Sequence, residues 1–201
     1  MIKNIIFDVG KVLVSYEPEA YMQNLGFDAE TRKRIHTAVF ENPLWDESDQ
    51  GLRTTEEFLK AFTANAPELA DEIRLVHTTV GGTIELLPYA LEWITDLKER
   101  GYSVYILSNY SENMLNQTKD KLKFLPLVDG AVFSYALKLL KPDAAIYDYI
   151  CDTFRLKPEE SVFIDDRSEN IEGAEKKGIH GIVFCSYEQG KNELEKLLCE
   201  K

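Results

Sequence analysis

The sequence predicts an α/β protein, a doubly wound, Rossmann-like parallel sheet interrupted by an inserted helical bundle. Three observations carry this. The short apolar run Ile5-Ile6-Phe7 ends at Asp8-Val9-Gly10, as a buried parallel strand does when it stops at a functional loop. From about Ser15 to Leu87 the apolar spacing is helical, and no strand of comparable quality recurs. After Pro88 helical and strand-like segments alternate, the pattern of repeated βαβ units. The expected division is a core of residues 1–14 and 88–201 and a helical cap of residues 15–87.

Lys11-Val12-Leu13-Val14 reads as a second extended piece after the first strand. In the insert, Pro18 can open a helix carrying Tyr21, Met22 and Leu25. Asp28 to Phe40 supports a second helix through Ile35, Val39 and Phe40. Thr54-Thr55-Glu56-Glu57 has the form of a capped helix start, followed by Phe58, Leu59 and Phe62. A fourth helix spans Pro67 to Val80, and four helices with short connections suggest an antiparallel bundle. Gly81-Gly82 marks its end or a hinge.

Beyond Pro88, helices are expected at Ala90–Arg100, Asn113–Leu122, Asp143–Phe154, Asn170–Lys177 and Glu188–Leu198. Strands are expected at Val104–Leu107, Ala131–Phe133, Ser161–Ile164 and Gly181–Phe184.

At 201 residues the chain can bury a full core. A net charge of −12 argues against a surface that tracks nucleic-acid phosphates. It leaves room for a small anionic substrate, because a cation and a lysine can reverse the local field. Cys151, Cys185 and Cys199 form no Cys-x-x-Cys pair, so a zinc or redox site is not indicated. His36, His77 and His180 have no metal-ligand spacing. No apolar run approaches the ~18 residues of a membrane span, and the N-terminus does not read as a signal peptide. A cytoplasmic protein is expected, with neither nucleic acid nor membrane as partner. The sequence sets no oligomeric state.

Chemistry collects where three expected strands end: at Asp8, at Ser108-Asn109 and at Asp165-Asp166. In an open parallel sheet these ends share one edge, where ligands bind. Three crowded carboxylates would repel one another, and a hard divalent cation such as magnesium removes the conflict. A carboxylate beside that cation can attack phosphorus and form an aspartyl-phosphate. Ser108 and backbone amides near Asn109 can bind phosphate oxygens, and Lys141 can offset their charge.

Taken in order, Phe7-Asp8-Val9-Gly10-Lys11-Val12-Leu13, Leu107-Ser108-Asn109, Lys141-Pro142 and Phe163-Ile164-Asp165-Asp166 with Asn170 resemble the four motifs of the haloacid dehalogenase superfamily. The helical stretch after the first motif resembles the superfamily's helical cap, of the first subfamily. The run Asp-x-Gly-x-Val and Asn170-Ile171-Glu172-Gly173-Ala174 are most similar to small phosphatases acting on glucose 1-phosphate.

The resemblance implies that Asp8 is nucleophile and Mg²⁺ ligand and that the Gly10 carbonyl is a second ligand. It implies that Ser108 and Asn109 hold the phosphoryl group and Lys141 stabilises its charge. Asp166 becomes the direct metal ligand of the last motif, Asp165 an assisting one, and Asn170 a brace. The implied substrate is a small phosphorylated metabolite. Dehalogenation of a 2-haloacid, or a non-catalytic metal- or phosphate-binding module, are the alternatives.

One departure matters. Most phosphatases of this superfamily carry a general acid two residues after the nucleophile, where this chain has Gly10. Such a group is worth ~100- to 10,000-fold. The deficit could be met by an easily departing group such as an anomeric sugar, by a water relay, or by an acid from the cap. In the insert, Trp45 and the turn Asp49-Gln50-Gly51 mark places where substrate contacts could occur.

Overall fold

The computed structural model describes residues 1–199. Five parallel strands form one sheet in the order β3-β2-β1-β4-β5. The first, β1 (Asn4–Phe7), lies at its centre. It is followed by the helices of the insert, α1 (Pro18–Asn24), α2 (Ala29–Ile35), α3 (Pro43–Asp49), α4 (Thr55–Asn65) and α5 (Ala70–Thr78). The chain then runs α6 (Ala90–Glu99), β2 (Ser103–Ser108), α7 (Glu112–Thr118), β3 (Gly130–Phe133) and α8 (Ala144–Phe154). It closes with β4 (Ser161–Asp165), α9 (Ser168–Glu175), β5 (His180–Val183) and α10 (Tyr187–Cys199).

Strand β1 pairs in register with Ser103–Ile106 of β2 on one side and Ser161–Ile164 of β4 on the other. Because side chains alternate along a strand, Ile5 and Phe7 enter one core layer with Val104, Ile106 and Trp93. Ile6 enters the opposite layer with Tyr105, Leu107, Phe163 and Tyr147. Burial on both faces explains why these strands read as unbroken apolar runs.

Residues Lys11–Val14 do not form the expected extended piece. Lys11 takes a left-handed φ of 57°. The amides of Val12, Leu13 and Val14 all fold back onto the Val9 carbonyl. Val12, Leu13 and Val14 are nonetheless completely buried. Their apolar character serves packing, and a continuous apolar run alone does not separate a buried turn from a buried strand.

The insert holds five α-helices rather than four. The unforeseen one, α3, starts from Asn42, whose side chain accepts from the Leu44 amide, with Pro43 in the first helical position. Its seven residues include only Leu44 and Trp45 as large apolar side chains, too few to produce a helical period. The expected helix Asp28–Phe40 divides into α2 and a single π-helical turn, His36–Phe40. Pro67–Leu69 forms a 3₁₀ turn ahead of α5. Helices α1–α5 span 7 to 11 residues, below the ~12–15 at which an isolated helix becomes marginally stable. Packing therefore holds them. Met22, Ile35, Val39, Phe58, Phe62, Ile73 and Val76 form their common core. Phe40 and Trp45 pack against both this cluster and the sheet's core.

Candidate active site

The register of β1 determines what meets at its carboxyl end. Phe7 pairs with Ile106 and Ile164, so the next residue, Asp8, comes level with the ends of β2 and β4. Its amide bonds the Ile164 carbonyl at 2.9 Å. Its Oδ1 accepts from Ser108 Oγ at 2.7 Å and from Lys141 Nζ at 2.8 Å. Burial pushes the Asp8 carboxyl up to about 6 and Asp165 adds to the rise, while Lys141 and Ser108 oppose it.

Lys141 arrives on the segment before α8 and is buried. Its ammonium also bonds Asp165 Oδ2 at 2.6 Å and the Leu107 carbonyl at 3.1 Å, so each of its three protons has a partner. Burial works to discharge this lysine, but Asp8 and Asp165 outweigh burial and raise its pKa. A lone buried ammonium would be neutral; held between two carboxylates it stays a cation.

Asn109 does not turn its amide to the cavity. Its Nδ2 donates to the Lys141 carbonyl at 3.0 Å and its Oδ1 accepts from the Lys141 amide at 2.9 Å. Both polar ends of this side chain thus hold the lysine's backbone, so that only the main chain here is left to meet a ligand.

Asp165 is fully buried and receives the Lys141 ammonium, the Arg167 amide at 2.8 Å and the Asn170 Nδ2 at 3.0 Å. Asp166 is half-buried, with Lys11 Nζ 3.8 Å away. Burial raises its pKa and Asp165 adds to that, against Lys11 and Lys141. One carboxylate oxygen from each of Asp8, Asp165 and Asp166 lies within 4.8 Å of the others. Among these three carboxylates Asp165 is already saturated with donors and Asp166 has oxygens to give.

The donor set fits a hard cation. Three carboxylates stand against one shared lysine and the more distant Lys11, so the cluster keeps excess negative charge. Asn170 must turn its NH₂ toward Asp165, which leaves its Oδ1 buried without a hydrogen-bond partner among the described residues. An orphaned acceptor beside carboxylates suits a cation or a water on it.

These groups open into a cavity of about 420 Å³ that reaches from the sheet edge to the insert. Asp8, Gly10, Ser108, Asn109, Lys141, Asp166 and Asn170 line its floor. A Cβ at Gly10 would meet nothing within 4 Å, so packing does not require glycine there. The walls include Tyr16, Tyr110, Arg167, and Trp45, Asp46 and Asp49 of α3. The sequence marks Trp45 and the turn at Asp49. It carries no signal that Lys11, Tyr16, Asp46, Tyr110 or Arg167 would join the site.

The sheet edge thus gathers a bonded aspartate, a serine, a buried lysine and two further carboxylates, a set of groups suited to a hydrolase. The match to known proteins agrees. Residues 2–178 fit the model of the haloacid dehalogenase-like hydrolases, and the chain belongs to that family. It is 30% identical over 190 residues to a D-ribitol-5-phosphate phosphatase of Bacteroides thetaiotaomicron, covering 85% of this chain and 86% of that protein. It is 34% identical over 95 residues to an (S)-2-haloacid dehalogenase of Burkholderia cepacia, covering 47% of this chain and 41% of that one. A HAD family enzyme of Bacteroides thetaiotaomicron, solved with magnesium and inorganic phosphate, superposes with a TM-score of 0.75 at 21% identity, over 93% of this chain and 96% of that one. No helix among the described residues is long and apolar enough to cross a membrane.

Proposed function

We propose that the chain is a Mg²⁺-dependent phosphatase that hydrolyses a small phosphomonoester, a sugar phosphate such as glucose 1-phosphate, through an aspartyl-phosphate on Asp8. The observation that carries this reading is the bonding of Asp8. One of its oxygens is fixed by Ser108 and Lys141, beside two further carboxylates, so the side chain is aimed within a cluster whose excess negative charge suits a cation.

In this reading Asp8, the Gly10 carbonyl and Asp166 hold the cation, with Asp165 and Asn170 supporting it. When bound, Mg²⁺ neutralises charge on the phosphoryl oxygens. Ser108 and main-chain amides beside Asn109 orient the phosphoryl group, and Lys141 stabilises the charge that develops as Asp8 attacks in line. Water then cleaves the acyl phosphate. Residues 15–87 act as a cap that closes over the site and opens for release, on a core of residues 1–14 and 88–201. A phosphorylated polyol or sugar suits a cavity whose walls mix carboxyl, phenol and indole groups. The similarity to a ribitol-5-phosphate phosphatase supports the same substrate class.

The similarity to a haloacid dehalogenase favours a second reading, halide displacement by Asp8 without metal. Against it stand Asp165 and Asp166, which would repel a carboxylate substrate. One panel separates the two: phosphate release from glucose 1-phosphate and ribitol 5-phosphate, and chloride release from 2-chloropropionate, each with and without Mg²⁺. We expect Mg²⁺-dependent phosphate release that Asp8→Asn abolishes. Equal phosphate release by both proteins would refute the Asp8 mechanism, and chloride release independent of Mg²⁺ would establish the dehalogenase.

A further inference from the structure

We propose that Asp49, at the end of α3, is the general acid and base of the reaction, taking the place of the group missing at position 10. The inference rests on the phosphatase reading above and concerns how its leaving group is protonated.

The first support is placement. Asp49 and Asp8 line the same cavity, one from the end of α3 in the insert and the other from the sheet edge. The second is the way α3 is docked. Ser134 Oγ donates to the Asp49 carbonyl and Gln50 Nε2 to the Lys138 carbonyl at 2.9 Å. Gly51, at φ +68°, lies so close to Tyr135 that a Cβ would come within 2.4 Å of its carbonyl oxygen. Three successive residues of the insert are thereby fixed to one turn of the core, and the first of them lines the cavity.

The third support is that this carboxylate has no evident structural task. It stands at a helix C-terminus, where the macrodipole disfavours negative charge. Among the described residues only the Ser111 amide donates toward it. A structural carboxylate would be capped or paired; this one faces a cavity.

Its surroundings set its proton. Burial pushes Asp49 up to about 8, Asp46 and Asp8 add to the rise, and Lys141 and the Ser111 amide work against it. Tyr16 and Tyr110, which also face it, are themselves raised by burial and stay neutral. A carboxylic acid that keeps its proton near neutral pH is what leaving-group protonation needs.

In the first half-reaction the Asp8–phosphorus bond forms as the phosphorus–oxygen bond to the alcohol breaks. The departing oxygen keeps the bonding pair and takes the Asp49 proton. In the second, Asp49 as carboxylate takes a proton from water as that water attacks phosphorus, and the bonding pair of the broken bond returns to Asp8. Both protonation states are restored at the end of the cycle. An anomeric leaving group is then no longer a requirement, and ordinary alcohol phosphates come within range.

The test is Asp49→Asn, a variant of the same shape as the neutral acid, with its thermal midpoint measured beside the wild type. Ribitol 5-phosphate and p-nitrophenyl phosphate serve as substrates with a poor and a good leaving group. We expect ribitol 5-phosphate turnover to fall ~100- to 10,000-fold. The nitrophenyl ester should still give a rapid burst of about one nitrophenol per enzyme, followed by slow turnover, because only the acid step is dispensable there. The wild-type kcat/KM for ribitol 5-phosphate should decline above pH ~8 as Asp49 loses its proton, and the variant should lack that limb. Gly10→Asp in the Asp49→Asn background should restore part of the activity, since position 10 has room for the side chain.

Loss of the nitrophenol burst along with ribitol 5-phosphate turnover, no loss on either substrate, or the same leaving-group-dependent loss from Asp46→Asn alone would overturn the role of Asp49 while leaving the phosphatase intact. Absence of phosphate release by the wild type from every ester would remove both readings together.

Discussion

The sheet edge and the end of α3 both present aspartates to one cavity, yet they are held by different physics. Asp8 and Asp165 extend strands whose register is set residue by residue through backbone hydrogen bonds, and one buried lysine ties them together. Asp49 is held by a short helix docked on the core through a hydroxyl, an amide and a glycine contact. The first arrangement is rigid and charge-compensated. The second is a contact between packed surfaces, which can loosen without unfolding the sheet. The difference teaches that one carboxylate of a cavity can be built into the sheet by strand register, whereas another is delivered by docking a short helix.

The largest effect should come from breaking the compensated side. Lys141→Met removes the cation shared by Asp8 and Asp165 and leaves their carboxylates facing each other in a buried site. We expect kcat to fall about 100- to 1,000-fold, the range for loss of one preorganised charge stabiliser. Stability should fall by about 3–5 kcal/mol, the usual cost of leaving a buried partner unpaired. Urea denaturation and phosphate release measure the two. Mg²⁺ should raise the midpoint of the variant more than that of the wild type. A variant of undiminished stability would mean that the ammonium is not what holds the site together.

Breaking the docked side should be gentler on the fold and selective for activity. Gly51→Ala forces a Cβ into the Tyr135 backbone carbonyl from a left-handed backbone; the left-handed conformation alone costs about 1–2 kcal/mol, and displacing the Tyr135 turn adds to it. Moving α3 by even ~1 Å misplaces Asp49, and such a shift can cost ~100-fold. The expected loss in kcat/KM for ribitol 5-phosphate is therefore 10- to 100-fold. The nitrophenol burst should survive, because Asp8 and its partners are untouched. Loss of the burst with the overall rate would show that the docking supports the nucleophile as well.

The same contrast explains what the sequence reveals. Asp8, Ser108 and Asp165 are legible because each directly ends a recognisable apolar run, and parallel strands bring their carboxyl ends together without further information. Lys141 is legible only through its motif, since nothing in its spacing reveals two carboxylate partners. Asn109 shows the limit of such reading: it lies at the cavity, but both polar ends of its side chain hold the Lys141 backbone. The apolar residues at 12–14 are buried as their hydropathy suggests, yet in a turn, because hydropathy reports burial and not backbone shape. Helix α3 escapes because seven residues with two large apolar side chains give no period. The role of Asp49 escapes with it, since the direction of a docked helix depends on surfaces contributed by distant segments.

The smallest effect should come from a feature of the insert that is fully legible. Thr54 and Glu57 form a reciprocal cap on α4. Thr54 Oγ1 accepts from the Glu57 amide at 3.3 Å and Glu57 Oε2 accepts from the Thr54 amide at 2.9 Å. The pair is exposed and does not line the cavity of Asp8, but α4 carries Phe58 and Phe62 into the insert's core. Thr54→Ala should cost about 1 kcal/mol, read as a lower denaturation midpoint, with kcat/KM changed less than about twofold at a temperature where the protein is folded. Its value lies in the comparison with Gly51→Ala, each variant assayed at a temperature where it is folded. If activity depended only on how firmly the insert is folded, the two variants would lose activity alike. If it depends on where α3 sits, Gly51→Ala alone loses it, since the side chains of the α4 cap bond each other and the docking bonds to Ser134 and Lys138 come from Asp49 and Gln50. Equal kinetic losses from the two would shift the explanation from docking geometry to the overall order of the insert.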